Sequence, residues 1–315
     1  MPLKKYPYML DYAVNKMLSV LLLMVFVCSG VSAQVQSDKP DTLIWKKKLN
    51  FAVNLNQASF SSNWKAGGVN SIGLTGLFNY KVNYKRERAS WDNEIDLAYG
   101  FVNNAGQGFR KTIDRVFLDT KYGYELNKKW SVFTSLNLLT QFYKGYNYKE
   151  DNTSELISDF FAPAFITSAW GIEYHPVDYF KVRISPFAPR VTIVKDPTRF
   201  TKSVGPEPYG VDSTETVRME WLAFQLLAEF NKEIATNLNL KWRYLMYANY
   251  ETLDMKTIDH RLDVDLTAKV NKYINVGVGS ILLYDYDQDT GAQFSQVFTL
   301  GFLYTFQNYA EPKKE

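Results

Sequence analysis

The feature that most limits how this chain can fold is an alternation of side chains between Ser71 and Phe101. Large apolar residues occupy most of the alternate positions on both sides of the polar turn Lys85-Arg86-Glu87-Arg88. A period of two gives each β-strand one apolar face and one polar face. Each arm is roughly ten to fifteen residues long, which is close to what a tilted strand needs to cross a bilayer. The stretch therefore predicts a membrane-spanning β-hairpin.

The same alternation recurs along most of the chain. It predicts an all-β fold, a transmembrane antiparallel up-and-down β-barrel of about 12 strands. The further predicted strands are Lys48–Gln57, Arg115–Glu125, Trp130–Phe142, Ala164–Tyr174, Phe180–Val194, Val217–Phe230, Leu238–Tyr247, His260–Val270, Ile274–Tyr284 and Phe294–Phe306. A change of apolar parity near Trp221-Leu222 predicts a bulge there. We assign 48–306 to the barrel, 34–47 to a periplasmic segment that leads into it, and 307–315 to a periplasmic polar tail.

The connections between these strands alternate in length. The short ones are Lys85–Arg88, Leu126–Lys129, His175–Asp178, Asn231–Asn237 and Asn271–Tyr273. The longer ones are Ala58–Asn70, Asn103–Asp114, Lys144–Asp159, Lys195–Thr216, Ala248–Asp259 and Asp285–Gln293. Short periplasmic turns and longer extracellular loops are typical of outer-membrane barrels. Aromatic residues flank the short turns, where amphipathic rings would meet the membrane interface. A soluble β-sandwich is the alternative, and it explains those aromatic positions badly.

The N-terminus predicts secretion. Basic residues precede an apolar run, Met17–Cys28, and Val31-Ser32-Ala33 supplies the small residues that a signal peptidase prefers. We expect 1–33 to be a signal peptide. The run is shorter than the roughly 20 residues of a transmembrane helix. Lipoprotein processing at Cys28 is also disfavoured, because Val27 stands where a small residue should precede the lipidated cysteine.

Composition agrees with a secreted membrane barrel. Aromatic residues make up 16% of the chain, with 22 Tyr, and no linker rich in Pro or Gly divides it. The net charge of +3 is small, so we expect no nucleic-acid partner. Cys28 is the single cysteine of the sequence, so a chain cleaved after residue 33 would have neither disulfides nor thiol chemistry.

One loop motif carries a family resemblance. The strand Lys48–Gln57 is followed by Asn63-Trp64-Lys65-Ala66-Gly67-Gly68, then by Asn70-Ser71 and the first hairpin. This arrangement resembles the DUF3078 family, envelope proteins of Bacteroidetes with no assigned function. The resemblance extends across nearly all of the mature chain. It implies an outer-membrane location and supplies no catalytic residues.

The last strand resembles a second known pattern. Thr299, Gly301, Tyr304 and Phe306 are similar to the C-terminal signature by which the barrel-assembly machinery recognises bacterial outer-membrane barrels. The chain departs from that pattern in the polar tail that follows. We therefore expect the assembly machinery and outer-membrane lipids as partners, and the bacterial outer membrane as the location.

Charged residues occupy many polar-face positions and would line the barrel lumen. They are Asp92, Glu94, Asp96, Asp119, Lys121, Lys181, Arg183, Lys241, Arg243, Asp263 and Asp265. In a barrel of about twelve strands the acidic third strand faces the basic ninth strand, which would set a transverse field across a wet lumen. The alternative is that charges such as Arg115, Asp119 and Arg261 pair with neighbours and plug the interior.

Few residues support catalysis or metal binding. His175 and His260 are the only histidines, and no serine adjoins either in a recognisable motif, so a lipid hydrolase is a distant candidate. Asp285, Asp287 and Asp289 are spaced as in a calcium loop. Thr290 and Gln296 stand where that loop requires glycine and glutamate, so a solvated hairpin loop explains the spacing as well.

These observations favour a non-enzymatic pore or channel for small polar solutes, without a cofactor. The alternative function is a closed barrel that acts as a binding or structural envelope protein through its extracellular loops.

Overall fold

The computed structural model of the protein describes residues 44–59, 61, 69–149, 153–271 and 273–309. The predicted signal peptide, most of the segment 34–47, the motif Asn63–Gly68 and the end of the polar tail lie outside these residues. The predictions for those segments therefore stay predictions.

Sixteen strands run through the described residues. They are β1 (Trp45–Ala58), β2 (Ser71–Arg86), β3 (Ala89–Asn104), β4 (Gly108–Glu125), β5 (Trp130–Thr140), β6 (Gly145–Tyr148), β7 (Ser154–Ser158), β8 (Ala164–Val177), β9 (Phe180–Phe187), β10 (Arg190–Ile193), β11 (Val217–Glu220), β12 (Ala223–Ala235), β13 (Leu238–Asn249), β14 (Ile258–Lys269), β15 (Ile274–Tyr284) and β16 (Gln293–Gln307). Three short 3₁₀ helices lie in loops, at Pro197–Arg199, Pro208–Gly210 and Met255–Thr257. No helix of the described residues is long and apolar enough to cross a membrane.

Antiparallel pairing closes the main sheet into a barrel. Each wall strand pairs with its neighbour in the chain, and β1 pairs with β16 from Lys48↔Gln307 to Asn54↔Gly301. We call each strand position around the barrel a wall. Ten walls are single strands and two consist of two strands each, β9 with β10 and β11 with β12, so the barrel has twelve walls. The predicted up-and-down barrel of about twelve strands is confirmed.

Both composite walls are interrupted at one point. Ala188-Pro189 separates β9 from β10, and Trp221-Leu222 separates β11 from β12. A proline has no N–H for the ladder, which accounts for the first break. The second break lies where the apolar parity changes, and both of its side chains are exposed. The irregularity predicted near Trp221 is confirmed.

One predicted long loop is wrong. Asn103–Asp114 is mostly strand, because β3 continues to Asn104 and β4 begins at Gly108. The register shifts between Gly100 and Phe101, so β4 has one extra residue, Thr112, opposite that step. A bulge of this kind changes which alternate positions face the lumen. The predicted strand began at Arg115 because the alternation changes before that residue.

Two other connections also differ from expectation. The predicted turn His175–Asp178 is shorter, because β8 continues to Val177 and pairs there with Phe180. Pro176 lies at a register shift, where no ladder hydrogen bond is required of it. The predicted loop Lys144–Asp159 contains the small hairpin β6–β7.

Side chains alternate between the two faces of the wall as the sequence predicts. On β16, Phe298, Leu300, Phe302 and Tyr304 are 48–59% exposed, whereas inward residues such as Asn54 and Lys121 are buried. An apolar outer surface around a polar interior is the arrangement that a lipid bilayer requires of a barrel.

Aromatic rings cluster around the short turns. Ring centroids lie 4.9 Å apart in Trp45–Tyr84, 6.1 Å in Trp45–Trp91, 4.5 Å in Trp130–Tyr174, 5.8 Å in Phe230–Trp242 and 5.6 Å in Tyr273–Phe302. Contacts of this kind stabilise each ring pair beyond the area that it buries. The predicted belt of aromatic residues around this end of the barrel is confirmed. We call this end the short-turn end below.

Candidate functional site: the barrel lumen

The lumen near the short-turn end contains a cavity of about 100 Å³. Inward positions of six walls line it: Lys81 and Asn83 on β2, Asp92 and Glu94 on β3, Phe117 and Asp119 on β4, Lys181 and Arg183 on β9, Glu229 on β12 and Arg243 on β13, with Asn93 at its edge. The period of two places these residues inside, since their chain neighbours face outward. The cavity has room for several water molecules and polar groups to hold them.

Most charges around this cavity are paired between walls. Lys81 Nζ lies 3.1 Å from Glu94, and Lys181 Nζ lies 2.9 Å from Glu229. Asp96, farther along β3, pairs with Arg115. Each acidic residue of the third wall therefore has a cation beside it, as Asp92 has in Lys121 at 3.2 Å. This pairing supports the alternative interpretation, that lumen charges pair with neighbours, over two opposed walls of unpaired charge.

A further network is centred on Glu173. Its carboxylate accepts hydrogen bonds from Lys121 Nζ at 2.9 Å and from Arg183 Nε at 2.8 Å. All three side chains are buried, so the charges neutralise one another in a site that has lost most of its water. We did not predict Glu173 or Glu229 from the sequence. Each has an inward position on a strand that pairs with β9, Glu173 on β8 and Glu229 on β12, and this position could have identified them.

A narrower point of the lumen lies beside the cavity. Asp119, Arg183 and Arg243 line both the main cavity and a second void of about 10 Å³. The Arg243 guanidinium extends over the Phe117 ring, with its carbon 5.0 Å from the ring centroid. Because Arg243 is on β13 and Phe117 on β4, this side chain crosses the lumen.

The lumen at the other end, which carries the long loops, is also crossed by contacts between strands. Arg190 Nη1 donates to Asp259 at 2.9 Å, and its guanidinium carbon lies 3.3 Å from the centroid of the Tyr247 ring. Asn249 Nδ2 donates to Glu220 at 3.1 Å. The sequence did not single out these residues, because their partners come from walls that are distant in the chain.

The loop 195–216, called the lid below, has its own apolar core. Phe200 and Val211 are fully buried and form a cluster with Ala162 and Val194. The Tyr209 hydroxyl donates to the Ile157 carbonyl, and burial raises the pKa of that hydroxyl above its usual range. These contacts fix the lid to the β6–β7 hairpin.

A second set of contacts holds the opposite side of the lid. Arg218 Nη1 donates to the Gly210 carbonyl at 3.2 Å and to Asp287 Oδ2 at 2.6 Å. Asp287 belongs to the β15–β16 connection, whereas β6–β7 connects β5 to β8. Those connections are half of the barrel circumference apart in the strand order. The lid therefore extends across the mouth of the barrel.

The proposed calcium ligands do not converge. Asp287 pairs with Arg218, Asp285 accepts from the Asp287 amide and from Gln288, and Asp289 accepts from the Gly291 amide. Within the described residues, no group of three or more His, Cys, Asp or Glu side chains has a geometry that would hold a metal ion. The geometry does not support the calcium site, which stays a prediction for titration.

The two histidines lie in different surroundings. His260 Nδ1 lies 2.8 Å from the Tyr244 hydroxyl, and its ring packs between Tyr244 and Tyr284 on three neighbouring strands. His175 is near a short turn, where its amide donates to the Lys129 carbonyl. The contacts of both histidines are therefore those of structural residues.

The remaining predicted positions lie on the walls as expected. Asp263 accepts from Arg261 at 2.8 and 2.9 Å, and Asp265 lies opposite Lys241 on the neighbouring strand. In β16, Thr299 and Gly301 alternate with the lipid-facing Tyr304. A Cβ at Gly301 would lie 1.8 Å from Asn54 Oδ1, so this glycine also has a packing role.

Comparison with known proteins addresses the family and the fold. The family model described as "Protein of unknown function (DUF3078)" matches residues 55–146. The DUF3078 resemblance is confirmed over these residues. The matched segment extends from the end of β1 to β6 and includes the Asn63–Gly68 motif, so it is shorter than the resemblance that we expected. No curated protein matches this chain.

Several solved structures of membrane barrels are similar to this chain. An outer-membrane channel from Pseudomonas putida F1 is 9% identical with a TM-score of 0.40, over 87% of this chain and 100% of that one. The NanC porin is 8% identical with a TM-score of 0.39, over 81% and 98%. The translocator domain of the autotransporter NalP from Neisseria meningitidis is 9% identical with a TM-score of 0.33, over 94% and 98%. The fold assignment itself rests on the strand pairing of this chain.

Proposed function

We propose that this protein is a narrow, gated channel for small polar solutes in the bacterial outer membrane, without enzymatic activity. One observation carries the proposal: a charge-lined cavity lies inside a closed barrel that has a lipid-compatible outer surface. Interiors that serve only to hold a barrel together are filled by packed side chains, whereas solute paths keep polar, hydrated space.

The lid supplies the gate in this proposal. It crosses the mouth and is held on the β15–β16 side by Arg218. Loss of the Arg218 contacts would free the lid on that side, while its apolar core would keep it folded against β6–β7. We expect solute access from the long-loop end to follow the state of this loop.

A closed barrel that acts through its extracellular loops is the second candidate. The observation in its favour is the amount of lumen that ion pairs and the lid occupy. The same barrel would then present the lid and the β6–β7 hairpin as a folded extracellular surface for a partner.

Single-channel recording of the mature protein, 34–315, in planar bilayers separates the two candidates. Arg218→Gln should raise the open probability at least several-fold relative to wild type. Lys202→Gln is the matched control, since it removes an exposed charge from the lid itself without touching the Arg218 contacts, and it should leave conductance unchanged. The unheated protein should keep the fast gel mobility of a folded barrel in each case. Silent traces from folded wild type and from folded Arg218→Gln alike would refute the channel and favour the closed barrel.

The proposed outer-membrane location also requires that the barrel be inserted into that membrane. The barrel-assembly machinery would recognise Thr299, Gly301, Tyr304 and Phe306 on the last wall, and lipids would then surround the apolar face. Replacing Tyr304 and Phe306 together with alanine should lower the folded fraction in outer-membrane preparations. The matched control replaces the two lipid-facing residues Phe294 and Phe298 with alanine and should leave that fraction unchanged.

A further inference from the structure

The charges around the main cavity divide into a paired set and an unpaired set. Ion pairs involve Lys81, Asp92, Glu94, Lys181, Arg183 and Glu229. Of the charged groups that line the cavity, Asp119 and Arg243 form no direct ion pair within the described residues, although Arg243 lies opposite Glu229 and Asp263 on its neighbouring strands and Asp119 is within electrostatic range of Arg183. A charged group that makes no direct ion pair in a confined site keeps hydrogen-bonding positions for an oppositely charged ligand.

These two groups lie together although they come from different walls. Phe117 and Asp119 share the inward face of β4, and the Arg243 guanidinium extends from β13 over the Phe117 ring. Arg243 thereby lies within electrostatic range of Asp119 without a direct contact. At 5.0 Å from the Phe117 centroid, the guanidinium is within range of a cation–π attraction, and its forked N–H groups can donate in pairs to a planar carboxylate.

The net charge of the site also limits the ligand. Four cationic residues, Lys81, Lys181, Arg183 and Arg243, and four anionic residues, Asp92, Glu94, Asp119 and Glu229, line the cavity. A balanced lining does not favour a ligand of net positive or net negative charge. It favours a neutral ligand that carries both signs, with one end for Arg243 and the other for Asp119.

The size of the cavity narrows the class further. Its volume of about 100 Å³ is well below the roughly 300–1,000 Å³ of sites for drug-sized molecules. From these observations we infer that the lumen contains a binding site for a small zwitterion of the amino-acid type. Arg243 takes its carboxylate, and Asp119 takes its ammonium group. This inference rests on the proposed channel, and it assigns that channel a class of solute.

Calorimetric titration of the folded mature protein in detergent tests the site, with glycine as the probe. Acetate and methylammonium carry the two charges separately and serve as ligand controls. We expect saturable binding of glycine and binding at least about tenfold weaker for either control, since each would satisfy one charged group and leave the other unpaired.

Variants assign the two ends of the ligand. Arg243→Gln and Asp119→Asn should each weaken glycine binding by about tenfold or more. Lys241→Gln and Asp265→Asn are matched controls, because they change lumen charges that do not line the cavity. They should shift the affinity less than about twofold. Unheated gel mobility identifies any variant that fails to fold.

The outcomes separate this site from the channel itself. Glycine binding without conductance would retain the site and overturn the channel. Conductance without glycine binding would overturn the site and retain the channel. Acetate binding as tight as glycine binding, or equal losses in the matched controls, would also overturn the zwitterion site.

Discussion

The two ends of the lumen use the same kinds of residues in different surroundings. Near the short turns, the side chains of Lys81, Asp92 and Lys181 are 37–40% exposed. Near the long loops, those of Arg190 and Glu220 are 12% and 9% exposed. The Glu173 network is as buried as the charges under the lid, so the contrast holds for Lys81, Asp92 and Lys181, which line the main cavity on β2, β3 and β9. Water can screen those exposed charges, whereas the charges under the lid depend on their protein partners.

The largest expected effect tests this difference directly. Arg190→Gln would leave Asp259 beside other buried carboxylates without its cation, and we expect a loss of about 3–5 kcal/mol in unfolding free energy. The matched variant at the short-turn end, Lys181→Gln, should cost about 1 kcal/mol or less because its pair is partly hydrated. Urea unfolding in lipid vesicles, followed by tryptophan fluorescence, measures both. Equal losses would contradict the contrast between the two ends.

The second prediction concerns the apolar core of the lid. Phe200 is fully buried, and truncation of a buried Phe to Ala costs about 3–5 kcal/mol. Phe200→Ala should therefore open the lid locally and accelerate tryptic cleavage at Lys202 by at least about 100-fold, while the barrel stays folded. Phe160→Ala, at a ring that is 52% exposed in a neighbouring loop, should leave the cleavage rate nearly unchanged. Unchanged cleavage in Phe200→Ala would show that the lid is held by other contacts.

The third prediction uses pH. Burial raises the pKa of Asp285, which lies in the loop after β15 near Asp259, Asp287 and Arg190 and within electrostatic range of Tyr209 in the lid. The closed state then binds this proton more tightly than the open state, so closure is favoured at low pH. That preference is lost as the pH rises from the usual carboxyl range through the raised pKa.

Lid cleavage checks this dependence. The ratio of the wild-type rate to the Asp285→Asn rate cancels the pH dependence of the protease itself. It should increase with pH across that window. A ratio that is flat or that decreases with pH would mean that Asp285 does not contribute to closure.

The smallest expected effect lies at the outer rim of the short-turn end. Lys85 Nζ lies 2.6 Å from Glu125, but the lysine side chain is 63% exposed. Lys85→Gln should change the unfolding free energy by about 0.5 kcal/mol or less, and salt should reduce the change further. A loss comparable to that of Arg190→Gln would remove exposure as the explanation for the contrast.

The accuracy of the strand predictions followed the regularity of the alternation. Ile274–Tyr284 has the bounds that were predicted, because apolar residues alternate with Asn and Gly from Ile274 to Gly279 and polar turn or loop residues flank the strand at both ends. Asn103–Asp114 was wrong because the bulge at Thr112 reverses parity within a continuous strand. Periodicity reports the face of a residue and does not distinguish a parity change in a strand from its end.

The sequence predicted which charged residues of the site face the lumen, but not which of them pair with one another. The alternation placed Asp119 and Arg243 inside, but it did not indicate that one would remain unpaired beside the other. Glu173 illustrates the same limit, since it bridges Lys121 and Arg183 from a strand between theirs in the chain. Pairing across a lumen depends on side-chain reach and on which neighbours are small, and neither quantity is local in sequence.

The sequence by itself determined the class of the fold, the apolar outer surface, the polar lumen and the belt of aromatic residues at the short turns. These features follow from a period of two and from turn chemistry, which act between residues close in the chain. The tertiary structure alone decided which charges neutralise one another, which two make no direct ion pair beside the main cavity, and where the lid lies. Those outcomes depend on distances between walls, which exist only once β1 has met β16 and the barrel has closed.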